Sequence, residues 1–424
     1  MLTIKFIKEN PNIVKKDLKK RNDLEKVKWI DLILKKHSQY LDLLKKEQEL
    51  RHKRNLITDE INQLKKQGQS IKEKIKEAKE FPQKVHELTN KVETLRNEIK
   101  YYLMRIPNVL HDSVPRGKDE TENKTVRKWG EIKKPSFELK SHGEIIEKLN
   151  LGDFDSAAKV SGRGFYYLLG DLALMELALQ RFAIDILTKK GFTLTEVPLM
   201  LRKKPYEGVT DLGDFETMMY KVENEDLYLI ATSEHAIGAR LMNHTFEEKE
   251  LPLKFVGVSP CFRKEIGSHG VDEKGLFRVH QFNKVEQFIF CKPENAWQLF
   301  EDLIKNAEEL CKKLKLPYKI TSICTGDIGT VAAKKYDLDV YMPREKAYKE
   351  VVSCSNCTSY QAVRLNIKYQ KGQEKEYVHT LNSTAIATSR TLRAILENYQ
   401  QKDGTVKVPA VLVPYMNGIK VLGK

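Results

Sequence analysis

Apolar side chains recur every three, four or seven positions through residues 27–104, with charged residues between them. The first run consists of Val27, Ile30, Leu34, Leu41 and Leu44 and, after a change of phase, Leu50, Ile57, Ile61 and Leu64. The second consists of Ile71, Ile75, Ala78, Val85, Leu88, Val92, Leu95, Ile99 and Tyr102. This spacing is typical of a coiled coil. Because only the short turn-forming stretch 67–70 separates the runs, they predict an antiparallel hairpin of two helices, each of ~35 residues and ~50 Å.

Pro82 stands inside the second run. It predicts either a kink or the place where the second helix properly begins, because proline lacks the N–H that a helix interior needs. The apolar run also changes phase near Val85 and Leu88, which agrees with a local disturbance of the helix.

Positive charge is concentrated in the same part of the chain. The sequence has 74 basic and 59 acidic residues, a formal net charge of +15, and residues 1–104 hold 26 of the basic and 16 of the acidic ones. This excess predicts an anionic partner, most simply a nucleic acid, although a solvated lysine-rich surface has the same composition. The residues expected to face a phosphate backbone are Lys35, Lys36, Lys45, Lys46, Arg51, Lys53, Arg54, Lys65 and Lys66. The alternative for the hairpin is an oligomerisation coiled coil.

Several classes of protein are disfavoured by the sequence. The first 25 residues lack the apolar run of a signal peptide, and no segment reaches the ~20 apolar residues of a membrane-spanning helix. Six cysteines in 424 residues do not suggest a disulfide framework and favour a reducing compartment. We therefore expect a cytoplasmic protein with no membrane partner.

The rest of the chain divides into two parts. Residues 107–136 are polar and rich in proline and glycine, which predicts a linker between a helical arm over 1–106 and a globular domain over 137–424. In that domain the patterns predict helices over 171–191, 294–315 and 385–399. They predict strands over 227–232, 253–258, 276–290, 348–353 and 376–381. Strands and helices do not alternate regularly, so we expect an α+β fold around a largely antiparallel sheet flanked by helices.

The sequence contains no glycine-rich loop that could cradle phosphates, so a nucleotide would have to be held by arginines and carboxylates. Such residues occur in residues 261–286, where Arg263 and Glu265 are expected on one strand and Arg278 on the returning strand of a hairpin. Arginine suits this role because its planar guanidinium clamps phosphates. Further along, Glu350 and Ser353 offer oxygens for a magnesium ion, and Arg390 begins an amphipathic helix.

These residues carry a resemblance to a known family. The hairpin of 261–286 and the late arginine within 382–399 resemble motifs 2 and 3 of class II aminoacyl-tRNA synthetases, and Pro198 resembles the proline of motif 1. More closely, the chain resembles the seryl-tRNA synthetases over nearly its whole length and in the same order. The stretches that support this are IKFIKENPNIVKKDLKKR, AAKVSGRGFYYLLGDLALMELAL, TDLGDFETMMY, TSE, FRVHQFNKVEQF, EVVSCSNCTSYQAVRLNIKY, NSTAIATSRTLRAILENYQ and DGTVKVPAVLVPYM.

The resemblance implies an ATP site. Arg263 would hold the α-phosphate, Glu265 would bind the adenine amino group and Phe282 would stack on the base. Arg278 and Arg390 would contact the polyphosphate. Among these, Arg263, Glu265, Arg278 and Arg390 are the implied catalytic residues. The implied ATP-binding residues are Arg263, Lys264, Glu265, Arg278, Val279, Phe282, Glu350, Val351, Val352, Ser353 and Arg390, with Glu350 and Ser353 acting through Mg²⁺.

The resemblance also implies the substrates and partners. L-serine would be bound by Thr232, Ser233, Glu234, Arg263, Glu286, Asn382 and Thr384. Motif 1 around Pro198 would form a homodimer interface, and the helical hairpin would bind the long variable arm of serine tRNA. The implied activity is ligation of serine to its tRNA through a seryl-adenylate. The alternatives are an inactive relative and a relative that loads carrier proteins.

The pair Cys354 and Cys357 forms a Cys-x-x-Cys sequence without a second cysteine pair or a histidine at ligand spacing. We therefore do not expect zinc there.

Overall fold

The structure of the chain, a computed structural model, describes residues 1–133, 135–211, 216–265 and 275–423. The chain forms two compact units. One spans Leu2–Pro107 and is called the helical unit; the other, called the sheet unit, contains Met1 and the residues from Asn108 onward.

The helical unit consists of five helices. These are α1 (Ile4–Glu9), α2 (Pro11–Lys20), α3 (Leu24–Lys66), α4 (Lys72–Ala78) and α5 (Phe81–Arg105). The side chain of Asp23 caps the long helix α3 by accepting a hydrogen bond from the backbone N–H of Lys26. Pro82 lies in the first turn of α5, where a missing N–H has no intrahelical partner to lose. The second apolar run is therefore two helices and not one helix of ~35 residues.

The two long helices α3 and α5 pack through a narrow apolar seam. On α5 the buried residues Val85, Val92 and Ile99 follow one another at intervals of seven, as a coiled-coil position requires. The buried apolar residues that α3 contributes are Ile30, Ile33 and Ile57. The expected seam residue Leu41 remains 44% exposed.

A polar contact lies in the same interface. The carboxylate of Glu47 on α3 is only 6% exposed and accepts hydrogen bonds from Thr89 of α5 and from Arg51 of its own helix. These hydrogen bonds hold the pKa of Glu47 below its ordinary value. The two helices are therefore joined by a polar contact at this carboxylate in addition to their apolar seam.

The sheet unit is built on eight strands. In chain order they are β1 (Lys124–Trp129), β2 (Thr193–Glu196), β3 (Leu253–Phe262), β4 (Gln281–Cys291), β5 (Tyr318–Ser322), β6 (Lys334–Met342), β7 (Ala347–Asn356) and β8 (His379–Ala387). Their spatial order is β1-β5-β6-β7-β8-β4-β3-β2. Every neighbouring pair is antiparallel except β2 and β3. The expected α+β fold with a largely antiparallel sheet is thus confirmed.

The remaining elements surround this sheet. The helices are α6 (His142–Lys148), α7 (Phe154–Ser161), α8 (Gly170–Lys189), α9 (Lys203–Val209), α10 (Ser233–Arg240), α11 (Ala296–Lys313), α12 (Tyr360–Leu365) and α13 (Thr388–Tyr399). Short strand pairs are Gly152–Asp153 with Tyr167–Leu168, Met200–Leu201 with Tyr228–Leu229, and Val406–Lys407 with Val421–Leu422. A three-stranded sheet joins Thr245–Phe246, Lys368–Lys371 and Glu374–Tyr377. Among the described residues, no helix combines the length and apolarity needed to cross a bilayer.

The main core forms where three helices pack on the sheet. Buried apolar side chains come from α8, α11 and α13 together with the strands beneath them. Phe182 on α8, Phe300 on α11 and Ile395 on α13 are almost fully buried. Each burial of this kind contributes about 1.5–3 kcal/mol, so this layer fixes the sheet on which the site is built.

The segment predicted as a linker contains the edge strand β1. Lys124–Trp129 pairs with β5, and Arg127 donates two hydrogen bonds, of 2.9 and 2.6 Å, to the carboxylate of Glu308. The strand was not predicted because an exposed edge strand shows no alternation of apolar and polar residues. The interpretation of 107–136 as a simple linker is corrected accordingly.

We expect Thr89→Val, which removes the hydroxyl but not the shape, to lower the free energy of unfolding of the hairpin by about 1 kcal/mol. The reason is that Glu47 loses a donor while remaining buried. Urea unfolding followed by circular dichroism measures the effect. Since the pKa of Glu47 is lowered by folding, its ionic contribution is present above its ordinary pKa and is lost as pH falls through the folded value.

The matched control is Thr94→Val on the same helix, because the Thr94 hydroxyl donates only to the backbone carbonyl of Asn90. This variant should change stability little. Equal losses for the two variants would contradict a specific role for the Glu47 contact.

Candidate active site

A cavity of about 440 Å³ lies over the central strands of the sheet unit. The predicted site residues that line it are Thr232, Glu234, Arg263, Phe282, Glu286, Glu350, Val351, Ser353, Asn382, Thr384 and Arg390. The sheet therefore brings together residues from widely separated parts of the sequence on one surface. Charged residues of both signs are concentrated in this cavity.

Arg263 enters the cavity from the end of β3. Its Nη2 donates to the carbonyl of Ala231 at 3.4 Å, and its guanidinium carbon lies 5.3 Å from the ring centroid of Phe282. The strand ends at Phe262, and Glu265 has a positive φ of 44°. The expectation that Arg263 and Glu265 share a strand face is therefore corrected, because the backbone has already left the extended conformation.

Arg390 and Glu350 form an ion pair at another part of the cavity. Arg390 Nη1 lies 3.3 Å from Glu350 Oε2 and donates to the Glu350 carbonyl at 3.0 Å. Burial alone would raise the pKa of Glu350, but the charges of Arg390 and Lys335 hold it below its ordinary value. The carboxylate is thus kept ionised beside an arginine.

A β-bulge turns Glu350 toward the cavity. Residues 350 and 353 should lie on opposite faces of a regular strand, since their spacing is odd. The register between β6 and β7 shifts between Leu338 and Asp339, which pair with Val352 and Glu350 and leave Val351 as the extra residue. Glu350, Val351 and Ser353 consequently all line the cavity.

Two carboxylates, those of the half-buried Glu234 and the buried Glu286, line the cavity. The pKa of Glu234 is raised to about 7; burial of the carboxyl is the larger cause, and the neighbouring charge of Glu286 is the second. Its Oε1 accepts hydrogen bonds from Gln361 at 3.0 Å and from Asn382 at 3.1 Å. Burial also raises the pKa of Glu286, although Lys284 Nζ lies 2.6 Å from its Oε2. This part of the cavity is therefore a polar surface that favours donor groups.

Thr232 and its neighbours are fixed by a hydrogen-bond network at the start of α10. The Thr232 side chain caps this helix, and the hydroxyl of Tyr206 accepts from the backbone N–H of Ala231 at 3.2 Å. The same hydroxyl lies 2.9 Å from His235 Nδ1. Burial lowers the pKa of His235 to about 3, so this ring acts as a neutral support.

Several predicted residues do not line the cavity. They are Ser233, Lys264, Glu265, Arg278, Val279 and Val352. Ser233, Val279 and Val352 are buried, whereas Arg278 is exposed. Part of the predicted motif 2 hairpin, residues 266–274, lies outside the described residues.

Sequence reasoning missed several residues of the site, and four of them bear on its electrostatics or hydrogen bonding. Lys284, Lys335 and His235 line the cavity, and Gln361 binds Glu234. Of these four, Lys284 could have been predicted from the sequence, because it lies two positions before Glu286 on a strand and so shares its face.

Asn108 also supports the rim of the cavity from a distant part of the sequence. Its side-chain amide donates to the carbonyls of Val331 at 3.0 Å and Cys357 at 2.8 Å. Val331 and Cys357 both line the cavity. Asn108 therefore holds together two loops of the sheet unit, those that contain Val331 and Cys357.

Comparison with known proteins places this site in a family. Residues 1–110 match the model of the seryl-tRNA synthetase N-terminal domain, and residues 218–399 match that of the class II tRNA synthetase core domain (G, H, P, S and T). A serine–tRNA ligase of Methanocella arvoryzae is 57% identical over the full length of both chains. The chain belongs to the seryl-tRNA synthetase family. The serine–tRNA ligase of Pyrococcus abyssi is 51% identical, over 98% of this chain and 96% of that protein.

Solved structures agree with the family assignment. The seryl-tRNA synthetase of Pyrococcus horikoshii complexed with ATP has a TM-score of 0.91 and 49% identity, covering 100% of this chain and 99% of that one. The cytoplasmic serine–tRNA ligase of Naegleria fowleri in complex with AMP has a TM-score of 0.85 and 37% identity, with 97% and 95% coverage.

We expect Glu234→Gln to stabilise the protein at alkaline pH. The folded pKa of Glu234 is raised to about 7, so its burial is unfavourable to folding above its ordinary pKa and fully so above pH ~7. Glutamine keeps an acceptor oxygen for Gln361 and Asn382 without the charge. Thermal melting should show a gain at pH 8 that is small at pH 5.

Glu223→Gln, at an exposed turn, is the control and should show neither effect. A Glu234→Gln gain of the same size at both pH values would mean that charge burial is not its cause.

Proposed function

We propose that the chain joins L-serine to serine tRNA with ATP, through a seryl-adenylate. The observation that carries this proposal is the full-length similarity to the Methanocella arvoryzae serine–tRNA ligase, at 57% identity. The mixture of cations and buried carboxylates in the cavity agrees with it. Both steps are attacks on a bound substrate, so no side-chain nucleophile is needed.

For the first step, a serine carboxylate oxygen attacks the α-phosphorus of ATP, the bond between the α-phosphorus and the bridging oxygen breaks, and pyrophosphate leaves. Two anionic groups approach each other, and guanidinium groups stabilise the charge that develops. Arg263 is proposed to hold the α-phosphate, Phe282 to stack on adenine, and Arg390 and Arg278 to contact the polyphosphate. Arg263 and Arg390 line the cavity, and Arg278 is exposed at the chain segment that leads into β4.

The serine pocket is proposed at the carboxylates of Glu234 and Glu286. Glu234, Glu286 and Thr232 would bind the serine ammonium and hydroxyl groups, with Asn382 and Thr384 beside them. Their polar atoms would lack a partner if alanine were bound, which disfavours that substrate strongly. A second step, attack of the tRNA ribose hydroxyl on the adenylate, then depends mainly on positioning.

Magnesium is proposed to accompany ATP at Glu350 and Ser353. The fit rests on the donor set, because the Glu350 side chain is 41% exposed toward the cavity and Ser353 offers a hydroxyl beside it. When bound, the ion would offset phosphate charge.

The helical unit is proposed to bind the long variable arm of serine tRNA. Lys35, Lys45, Lys46 and Lys53 are exposed on α3, where they can meet phosphates; Arg51 is exposed too but forms an ion pair with Glu47 at 2.7 Å. Lys36 and Arg54 are half-buried, and Lys36 forms an ion pair with Glu98 at 2.8 Å. These two residues are therefore less free to contact tRNA.

A homodimer and a cytoplasmic location are also proposed. Pro198 is exposed next to the edge strand β2, and three apolar residues close to it in the sequence, Leu194, Leu199 and Met200, are exposed as well. Apolar exposure of this kind is typical of an interface. The location follows from the proposed role in translation.

The first test is charging of total tRNA with radiolabelled serine by the purified protein, with threonine, alanine and cysteine as competing substrates. We expect serine alone to be incorporated. Arg263→Ala should reduce serine-dependent exchange of pyrophosphate into ATP by ~100-fold or more, because phosphate charge loses its clamp. Its thermal melting should change little.

Arg116→Ala, at an exposed arginine, serves as the control and should retain full exchange. Exchange without charging would favour a relative that loads carrier proteins, and failure of both reactions would favour an inactive relative.

The arm proposal predicts a separate effect. Alanine at Lys45, Lys46 and Lys53 together should raise the KM for tRNA by ~10-fold or more and reduce its salt dependence, because fewer counterions are released. Pyrophosphate exchange should be unchanged. The matched control replaces three exposed lysines of the sheet unit, Lys375, Lys402 and Lys420. An equal effect of the control on tRNA would contradict the arm as the specific binding surface.

A further inference from the structure

A buried histidine connects two separate parts of the site. His142, at the start of α6, is fully buried. The backbone N–H of Leu276 donates to its Nε2 at 3.0 Å, and its Nδ1 lies 3.3 Å from Glu397 Oε1 on α13. Its two ring nitrogens therefore bind a segment next to β4 and the helix that carries Arg390.

The hydrogen bond from Leu276 fixes the tautomer of this ring. A backbone amide can only donate, so Nε2 must be unprotonated and the proton must lie on Nδ1. Nδ1 then donates to the carboxylate of Glu397. A Cβ at Gly275 would lie 2.5 Å from Nε2, so the close approach of this segment to the ring requires glycine.

Glu397 is itself held by a second partner. Arg393 Nε lies 2.9 Å from Glu397 Oε1 on the same helix. Burial alone would raise the pKa of Glu397, but its hydrogen bond with His142 and the charge of Arg393 hold it below its ordinary value. The carboxylate is therefore an ionised anchor for the imidazole.

Phe277 links the His142 contacts to the cavity, because its ring lies against two arginines of α13. The guanidinium carbon of Arg393 lies 4.7 Å from the Phe277 ring centroid, and that of Arg390 lies 5.0 Å from the same centroid. Arg390 in turn binds Glu350 in the cavity. The Phe277 ring therefore helps to orient the guanidinium of Arg390.

The sheet does not reach most of this segment. Beyond the ladder of β3 with β4, the carbonyl of His280 still accepts a hydrogen bond from the Arg263 N–H, and residues 275–279 lie before that contact. Two contacts hold Leu276 there: its side chain is fully buried in the main core, and its backbone N–H donates to the His142 ring. Without the hydrogen bond, Phe277 would lose one of the constraints that hold it against the two arginines.

We propose that His142 is a positioning residue for ATP: it holds Leu276, and through Phe277 it sets the orientation of Arg390. This inference rests on the proposed function, since it assigns the effect to ATP and not to serine. His142 touches no reacting atom and acts only through the segment 275–278 and α13.

The test uses two substitutions in the full chain. Glutamine reaches the position of Nε2 and can offer an oxygen to the Leu276 N–H, whereas asparagine reaches only the position of Nδ1 and can still contact Glu397. Serine-dependent pyrophosphate exchange gives KM for ATP, KM for serine and kcat. His142→Asn should raise KM for ATP or lower kcat by ~10-fold, the size of one lost hydrogen bond, with KM for serine unchanged. His142→Gln should restore most of the loss.

A second variant guards against misfolding of the first. Phe277→Leu keeps His142 but removes the ring between the arginines, and its ring is only partly buried. It should reproduce the effect on ATP, and the double variant His142→Asn/Phe277→Leu should cost no more than one change alone. Additive effects or an equal rise in KM for serine would overturn the proposal. So would an equal loss of melting temperature in the Asn and Gln variants with no change in KM for ATP or in kcat. If the parent protein lacks exchange activity, the proposed function fails instead.

Discussion

Burial of charge is the constraint on which the site depends. Arg263, Lys284, Glu286, Glu350 and Arg390 lie in one cavity, where an isolated charge would be strongly unfavourable. Pairing offsets this cost: Lys284 lies 2.6 Å from Glu286, and Arg390 lies 3.3 Å from Glu350. These paired charges are the groups proposed to meet an anionic nucleotide, and because they are already in place they would need little reorganisation during the proposed reaction.

Two charged groups of the cavity, Glu234 and Arg263, are incompletely paired, and both are proposed to bind substrate. Glu234 is half-buried and accepts from two amide donors, no ion pair forms with it among the described residues, and burial raises its pKa to about 7. Arg263 Nε is buried and has no hydrogen-bond acceptor among the described residues. Groups of this kind reduce stability and favour binding of a complementary ligand, as functional sites commonly do.

The two units achieve their stability by different means. In the helical unit a narrow seam, with Val85, Val92 and Ile99 at intervals of seven, leaves most of the surface charged and open to a polyanion. In the sheet unit three helices bury one face of a sheet, so the strands are held firmly enough to fix side chains in the cavity. The division agrees with the proposed separation of tRNA binding from chemistry.

The sequence by itself determined the hairpin, the α+β class and eleven of the residues that line the cavity, because periodicity and motif order are local properties. It did not reveal β1, since an exposed edge strand has no alternation, nor the break in the second helical run at Pro82. Only the tertiary structure decided that Glu350 joins Ser353 on one face, because a bulge at Val351 is set by pairing with β6. Likewise His142 meets Leu276 and Glu397 across more than a hundred residues of sequence. Such contacts depend on how elements distant in the sequence pack together, and a local sequence pattern does not predict that packing.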